Sequence, residues 1–411
     1  METSKVQIKN YNTIHILFPI NLDIKWMGGV NYYKNLFTAI KMLNEKSSDN
    51  ILLIYINEPN DENLNQIFSN YASYTKKEVY KPFKYYYKKF YKKLLGKEFQ
   101  KEKYIKYKKY DKFDITSHNQ NDFIENVPAL SWIPDFQHIC LPEMFSKEEI
   151  VLRDEMFRKQ IDNARLVILS SEDAKKDLEK FSPNDTVKAR VLHFVADIAP
   201  EIYQKTDDIK SYMIEKYNLP DKYFYVPNQF WKHKNHKVVF EAISELKKNG
   251  IDINVVFTGY SADYRHKQHF DNLMNYAKQN NIEDNIKILG LVESIEVYYL
   301  MRNCISIINP SLFEGWSTTV EEAKSIGKNI ILSNINVHKE QNPPSAIYFD
   351  PYNAQELADI LKDKWQTQQG GPDYELENTA RANMQNRMLE FASNYKNIVL
   401  EALKDNSSKN N

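Results

Sequence analysis

Short apolar segments alternate with longer amphipathic segments along almost the whole chain. Apolar runs rich in Ile, Val and Leu predict buried strands at His15–Ile20, Ile51–Ile56, Ala129–Ile133, Leu166–Ser171, Val191–Phe194, Tyr223–Val226, Ile253–Thr258, Ile286–Leu289, Ile305–Asn309, Asn329–Ser333 and Ala346–Phe349. Apolar positions at helical spacing predict helices at Val30–Lys46, Glu172–Phe181, His236–Lys248, Thr318–Ile326 and Ala354–Lys364. Strands that are apolar on both faces are typical of parallel sheets covered by helices. The alternation therefore predicts an α/β fold with doubly wound sheets.

The predicted strands fall into two series, separated by the polar segment Val195–Pro220. A chain of 411 residues is too long for one ordinary core. We therefore predict two Rossmann-like domains, residues 1–197 and 198–375, that face a central cleft, with the hinge in Val195–Pro220. Residues 376–404 are predicted to be helical and to pack back on the first domain, and the polar residues 405–411 to be disordered.

Composition narrows the possible functions. The formal net charge is zero, which gives no general basis for nucleic-acid binding. The two cysteines, Cys140 and Cys304, lack partners at metal-ligand spacing, and we expect two buried free thiols in a reducing compartment. No apolar run approaches the roughly 20 residues of a membrane-spanning helix. A cytoplasmic protein is expected, at most peripheral at the inner face of the plasma membrane.

Residues 74–113 depart from the alternating pattern. They contain fifteen lysines, nine tyrosines and four phenylalanines against four acidic residues. Three interpretations remain open: an anionic membrane or lipid-acceptor surface, a solvated helical insertion, and binding of single-stranded nucleic acid by stacking. The neutral chain and the absence of a nucleic-acid-binding signature disfavour the third, so no nucleic-acid partner is predicted.

The segment Asn309–Ala323 leaves a predicted strand, passes through a turn and begins a helix near Ser317–Thr318. The first turn of a helix carries unpaired N–H groups and the positive end of the helix dipole, which together bind phosphate groups. Glu314 precedes this helix and Glu322 lies about one turn inside it. Their spacing allows the two carboxylates to contact different parts of one extended ligand.

This segment resembles the retaining GT-B glycosyltransferases grouped as family 4. The frame Pro-Ser-x-x-Glu-Gly followed by a second Glu is matched at Pro310, Ser311, Glu314, Gly315 and Glu322. The resemblance implies that Glu314 is a catalytic residue beside the transferred sugar and that Glu322, rather than Glu321, binds the nucleotide ribose. It also places Gly315, Ser317, Thr318 and Thr319 among the donor-binding residues.

A second match follows the first strand of the second series. The family places an Arg and a Lys five residues apart there, to neutralise the donor diphosphate. Lys234 occupies the Lys position, followed by Asn235, and Gln229 replaces the Arg. Gln229 can donate a hydrogen bond to phosphate but supplies no charge, so either the affinity falls or Lys232 compensates. The string Asn-Gln-Phe-Trp is similar to the bacterial surface-polysaccharide branch of the family.

Two segments of the first domain are predicted to reach the cleft. Gly28 and Gly29 precede the helix Val30–Lys46, and paired glycines allow a ligand to approach the backbone. The family resemblance places this loop at the donor phosphates. Asp135 and His138 follow the strand Ala129–Ile133, and either one is a candidate to bind a sugar hydroxyl or assist the acceptor hydroxyl.

Together these features predict a glycosyltransferase that moves a hexose-type sugar from a nucleotide-diphosphate sugar to a glycan or lipid-linked acceptor. Retention of configuration and a role in cell-surface polysaccharide or lipopolysaccharide synthesis follow from the resemblance. No Asp-x-Asp triplet ends a predicted strand and no His, Cys or carboxylate cluster has metal spacing, so neither a metal nor another cofactor is expected. Two alternatives remain: a nucleotide-sugar epimerase of the same fold and a non-catalytic membrane-docking protein.

Overall fold

A computed structural model describes residues 12–20, 27–59, 61–80, 104–108, 113–120, 123–203 and 206–404. The strands of the first domain are β1 Thr13–Phe18, β2 Ile51–Asn57, β3 Ser73–Tyr80, β4 Tyr104–Lys108, β5 Ile115–Thr116, β6 Leu130–Ile133, β7 Leu166–Leu169 and β8 Ala189–Val191. They form two sheets, of order β4-β3-β2-β1-β5 and β6-β7-β8, which a parallel bridge between Thr116 and Ala129 connects. The β3–β4 pair is antiparallel and the other pairs are parallel.

The second domain contains one parallel sheet. Its strands are β9 Phe224–Val226, β10 Val255–Phe257, β11 Ile286–Ile288, β12 Ile307–Asn309, β13 Ile330–Ser333 and β14 Ile347–Phe349. Their order, β11-β10-β9-β12-β13-β14, is that of a Rossmann sheet, with the topological switch point between β9 and β12. The loops that follow these two strands therefore leave the sheet side by side, where ligands of such sheets bind.

Helices cover both domains and a long helix ends the described chain. They are α1 Met27–Lys46, α2 Glu62–Phe68, α3 Gln137–Cys140, α4 Lys147–Asn163, α5 Glu172–Phe181, α6 Thr206–Tyr217, α7 His236–Lys248, α8 His269–Gln279, α9 Ser294–Asn303, α10 Thr318–Ile326, α11 Asn336–Gln341, α12 Ala354–Thr367 and α13 Tyr374–Leu403. In the described part of the chain, no helix is long and apolar enough to cross a membrane.

The predicted strands and helices are confirmed, with ends that shift by a few residues, except that the predicted strand Val191–Phe194 shares only Val191 with β8. The hydrophobic pattern missed β3, β4 and β5. Strand β5 pairs at only two positions and leaves little periodicity, and β3 extends from Ser73 into the basic segment 74–113, where lysines interrupt the apolar pattern. Within this segment, residues 74–80 and 104–108 form strands. Residues 81–103 and 109–112 lie outside the described residues, and a membrane surface there stays a prediction.

The hydrophobic clusters change from one domain to the other near the predicted boundary. Val195 packs with the first domain, whereas Ile198 packs with the second. The segment Val195–Pro220 is not simply a polar hinge, because helix α6 lies within it and contributes Met213 to the core of the second domain. The domain limits and the hinge stay predictions.

Helix α13 joins the two domains. Its first turn carries Glu377, whose carboxylate forms a buried ion pair with Arg302 of the second domain at 2.8 Å. Its second half contributes Phe391 and Tyr395 to the core of the first domain. Gly327, which ends α10 with a left-handed φ of 77°, packs directly against the backbone of Leu376 and Glu377 in the first turn of α13.

One expectation about the cysteines is wrong. Cys304 is buried, but Cys140 is exposed, because it ends the short helix α3 at the surface. Its thiol donates to a carboxylate oxygen of Asp177 at 3.2 Å.

The contact between Gly327 and α13 predicts a measurable difference between two glycines. A Cβ atom at Gly327 would lie 2.5 Å from the backbone of Leu376, whereas Gly250, with a similar φ of 73°, has open space around it. We expect Gly250→Ala to lower the free energy of unfolding by about 1 kcal/mol, from backbone strain alone, and Gly327→Ala by about 3 kcal/mol, because overlap is added. Urea denaturation of both variants measures this difference; equal losses would contradict the packing of α13.

Candidate active site

A cavity of about 980 Å³ lies between the two domains, at the carboxyl ends of both sheets. Its size is that of small-molecule sites. The lining of the cavity includes most of the residues predicted from the sequence: Gly28, Asp135, Gln229, Lys234, Glu314, Ser317, Thr318, Thr319 and Glu322.

Lys234 and Glu314 form an ion pair in the lining of the cavity. Nζ of Lys234 lies 2.7 Å from Oε1 of Glu314, and the Ser311 hydroxyl donates to the same oxygen at 2.6 Å. Burial opposes ionisation of Glu314, but the charge of Lys234 and the hydrogen bonds outweigh it and lower the pKa of the carboxyl. Glu314 is therefore an anion although it is buried.

The loops after β9 and β12 are held together beside this ion pair. The backbone N–H of Leu312 donates to the carbonyl of His233 at 2.8 Å. Asn235, with a left-handed φ of 55°, donates from its side-chain amide to the carbonyls of Pro310 and Pro351. Asn235 does not line the cavity, so the structure gives it a role in loop geometry and does not bring it to the predicted donor site.

A buried network of amides and hydroxyls connects the loops after β9 and β12 with the start of α10. Asn309, the last residue of β12, donates to the Ser317 hydroxyl at 2.7 Å and accepts from Asn228 at 3.2 Å. Asn228 in turn accepts from the Thr319 hydroxyl at 3.3 Å. These bonds fix the start of α10 against both loops. The sequence analysis missed Asn228 and Asn309; the available signal was an asparagine closing or following two buried strands.

Helix α10 presents its first turn to the cavity. Among the described residues, the backbone N–H groups of Thr318, Thr319 and Val320 have no hydrogen-bond acceptor. The N–H of Ser317 is different, since it donates to the side-chain oxygen of Gln341 at 3.1 Å. Three amides and the helix dipole therefore remain to bind an anion.

Glu322 and Glu321 have different environments. Glu322 lines the cavity, is 8% exposed, and has no hydrogen-bond or ion-pair partner within the described parts of the chain. Burial raises the pKa of its carboxyl to about 8. Glu321 faces away and pairs with Arg387 at 2.6 Å and Lys324 at 3.1 Å. The geometry thus leaves Glu322, not Glu321, available to a ligand.

Gly315 contacts the opposite domain. A side chain there would overlap the carbonyl oxygen of Pro134 and approach Cβ of Asp135 to 2.9 Å. Gly315 is absent from the cavity lining, so the structure does not support the predicted donor contact and shows instead a glycine required by close interdomain packing. The next residue, Trp316, stacks on His193 at 4.2 Å and donates to the carbonyl of Phe194 at 3.1 Å.

The paired glycines lie in the first turn of α1 rather than in a loop before it, because the helix begins at Met27. Gly28 lines the cavity and has open space around its Cα. Gly29 is buried and is not part of the lining. Only Gly28 is brought to the predicted donor site.

The two candidates from the segment after β6, Asp135 and His138, lie in different environments. Asp135 lines the cavity and accepts from the backbone N–H of Gln137 at 3.0 Å. The fully buried imidazole of His138 lies 3.0 Å from Asp154 and packs on Phe157, away from the cavity. The structure therefore does not bring His138 to the site, and its predicted catalytic role has no geometric support.

Gln229 lines the cavity as predicted, whereas Lys232 is exposed and absent from the lining. The suggested compensation by Lys232 is thus not supported.

Arg153, on α4 of the first domain, is a second cation of the lining and was not predicted from the sequence. In the residues that the structure describes, no group of three or more His, Cys, Asp or Glu side chains could hold a metal ion.

Comparison with known proteins gives partial matches in sequence. Residues 210–383 match the family of glycosyl transferases group 1. The chain is 25% identical over 181 residues to protein CapJ of Staphylococcus aureus. The aligned region covers 42% of this chain and 44% of CapJ. It is 20% identical over 246 residues to O-antigen chain mannosyltransferase B of Escherichia coli. This aligned region covers 58% of this chain and 62% of the mannosyltransferase. The chain thus spans less than two thirds of the length of these curated relatives.

The similarity in structure covers both domains. HepE of Anabaena, solved in complex with UDP and glucose, matches with a TM-score of 0.65 at 14% sequence identity. The match covers 94% of this chain and 100% of that structure. The chain therefore has the GT-B fold, and its match to the glycosyl transferases group 1 family lies in residues 210–383.

Proposed function

We propose that this protein transfers a hexose-type sugar from a nucleotide-diphosphate sugar to a glycan or lipid-linked acceptor, with retention of configuration, in cell-surface polysaccharide synthesis. The main observation is that Lys234, Glu314 and Glu322 line one cavity together with the first turn of α10. The relatives named as a capsule protein and as an O-antigen mannosyltransferase support the biological role. The UDP and glucose bound to HepE support a nucleotide-sugar donor.

The donor diphosphate binds to the amides of α10 and to Lys234. Both supply hydrogen-bond donors to the cavity, where a phosphate gains charge-assisted hydrogen bonds. Lys234 now neutralises Glu314, and a diphosphate competes for the same ammonium group. Glu314 is then free to accept from a hydroxyl of the transferred sugar. This exchange explains why a carboxylate and a phosphate site lie so close together.

Glu322 binds the ribose. Its carboxylate is buried without a partner, and two vicinal hydroxyls supply the hydrogen bonds that it lacks. The nucleotide then extends from Glu322 past the start of α10 toward Glu314. Asp135, across the cleft beside Gly315, lies at the sugar end of this path.

In the transfer step, the bond between the anomeric carbon and the diphosphate oxygen breaks, and a bond to the acceptor oxygen forms. The acceptor proton passes to the departing phosphate oxygen. Negative charge grows on the diphosphate, where Lys234 and the α10 amides stabilise it. These groups supply the positive charge that a metal provides in other transferases, so we propose metal-independent transfer.

Donor binding is tested by calorimetry with UDP, GDP, dTDP and their sugars, with and without EDTA. Lys234→Ala and Glu322→Ala are expected to weaken binding of the best ligand about 10- to 100-fold, because one removes a cation that pairs with phosphate and the other a buried carboxyl group that hydrogen-bonds the ribose, each worth roughly 1.5–3 kcal/mol. The matched control is Lys232→Ala, an exposed lysine two residues away and outside the cavity lining. Equal effects of the two lysine variants, or full binding by Lys234→Ala, would reject the donor site, and loss of binding in EDTA would reject metal independence.

The environment of Glu322 also predicts a pH dependence of stability. Because burial raises its pKa from the ordinary 4.5 to about 8, the folded protein holds a proton that the unfolded chain releases in this range. Rising pH from 4.5 to 8 therefore destabilises the native protein relative to Glu322→Gln, by roughly 3–5 kcal/mol in total. Urea denaturation of both proteins at several pH values measures the difference. A difference that stays constant from pH 5 to pH 9 would show that Glu322 is not buried as described.

A further inference from the structure

One face of α4 lines the cavity on the side of the first domain. Arg153, Met156, Phe157 and Gln160 all contribute to the lining, at the spacing that places side chains on one side of a helix. Phe157 fixes this face, since its ring packs edge-to-face on Phe136 at 5.3 Å. The donor groups Lys234, Glu314 and Glu322 belong to the other domain, so this face is available to a second substrate.

Two buried amides at this face lack partners. Gln160 is 1% exposed, and its side-chain oxygen has no hydrogen-bond donor within the described residues. Gln137, on α3, is 6% exposed, and its side-chain nitrogen has no acceptor there. Both residues line the cavity. Because a buried polar group is stabilised when it is paired, these two atoms are available for hydrogen bonds with a ligand in the cavity.

Arg153 adds a positive charge at the same place. Its guanidinium lies 4.9 Å from the centre of the Phe145 ring, and the described part of the chain places no carboxylate at ion-pair distance from it. Arg265, from the second domain, contacts the same ring at 4.5 Å and donates to the oxygen of Gln137 at 3.5 Å. The second domain thus positions Gln137 and adds positive charge. A guanidinium without a carboxylate is suited to phosphate.

We propose that this face is the acceptor subsite and that the acceptor is a glycosyl phosphate. The sugar ring packs on Met156 and Phe157, and one of its hydroxyls donates to Gln160. The phosphate accepts from Arg153 and from the free nitrogen of Gln137. Arg153 and Gln160 are separated by two helical turns, roughly 10 Å, which a hexose with its phosphate spans. The inference rests on the proposed function, since it names the class of acceptor for the same site.

The phosphate can belong to a soluble sugar phosphate or to a lipid-linked one. Val151 and Leu152, which precede Arg153, are 55% and 65% exposed. A hydrocarbon chain attached to the phosphate would leave the cavity across them. The experiment therefore compares both sources.

The test is calorimetry on the full chain saturated with UDP, or with GDP or dTDP where that nucleotide binds more tightly, so that the diphosphate site is occupied. The probes are the 1-phosphates of glucose, galactose and N-acetylglucosamine, their neutral methyl glycosides, and an alkyl phosphate ester of the tightest sugar. We expect at least one phosphate to bind more tightly than its methyl glycoside, and Arg153→Gln to weaken it at least 10-fold, with Arg153→Lys intermediate. The affinity for UDP stays within twofold of wild type.

Arg158→Gln is the matched control. Arg158 lies on the same helix, also over a phenylalanine ring, Phe181, at 4.7 Å, but outside the cavity lining. It should leave the binding of sugar phosphates unchanged. Tighter binding of the alkyl ester, weakened by Leu152→Ser, supports the proposal with a lipid-linked source, whereas equal binding supports it with a soluble source.

The proposal is overturned if no sugar phosphate binds more tightly than its neutral glycoside, or if Arg153→Gln and Arg158→Gln behave alike. It is also overturned if Arg153→Gln weakens UDP as much as the sugar phosphates, because the arginine then serves the donor. Failure of UDP, GDP and dTDP alike to bind the wild-type protein would instead reject the proposed function. The comparison of Arg153 and Arg158 variants without UDP would still test the subsite.

Discussion

The ion pair between Lys234 and Glu314 is the constraint around which the site is organised. It lies at the switch point of the second sheet, where the loops after β9 and β12 leave side by side. Neither charge could be buried at this depth alone, because desolvating an unpaired charge costs far more than a pair gains. The pair therefore keeps both loops in register and keeps Glu314 ionised. Under the proposed function, Lys234 and Glu314 are each other's counter-ions until the donor diphosphate binds.

The same loop connects the two domains. Immediately after Glu314, Gly315 allows the backbone of Pro134 to approach, and Trp316 stacks on His193. A third contact lies further along the interface, where Glu340 of the second domain bonds His193 and accepts from the backbone N–H of Glu172 at the start of α5. The geometry of the cavity around Glu314 is thus set by packing between the two domains. If a donor displaces Glu314, as proposed, the displacement would also affect the first domain, because Asp135 of that domain lines the same cavity.

Strongly periodic features could be predicted from the sequence, and features set by three-dimensional packing could not. Uninterrupted apolar runs identified most strands of the two domains but not β3, β4 or β5. The resemblance to the family frame identified Glu314 and Glu322, which the structure brings to one cavity. Sequence neighbours offered no means of deciding that His138 points into a core or that Asn235 binds carbonyls, because both depend on elements distant in the chain. Strand β5 has only two paired positions, too few for a pattern. The role of Gly315 was also hidden, since a glycine required by a neighbouring domain looks the same in sequence as one required by a phosphate.

The exchange of counter-ions at Lys234 is tested most directly by a crystal structure with a nucleotide-diphosphate sugar. We expect the diphosphate at the start of α10 and within hydrogen-bond distance of Lys234, the ribose hydroxyls on Glu322, and Glu314 turned from the lysine to a hydroxyl of the sugar. A donor bound elsewhere, or one bound in this cavity while the bond between Lys234 and Glu314 remains intact, would contradict it.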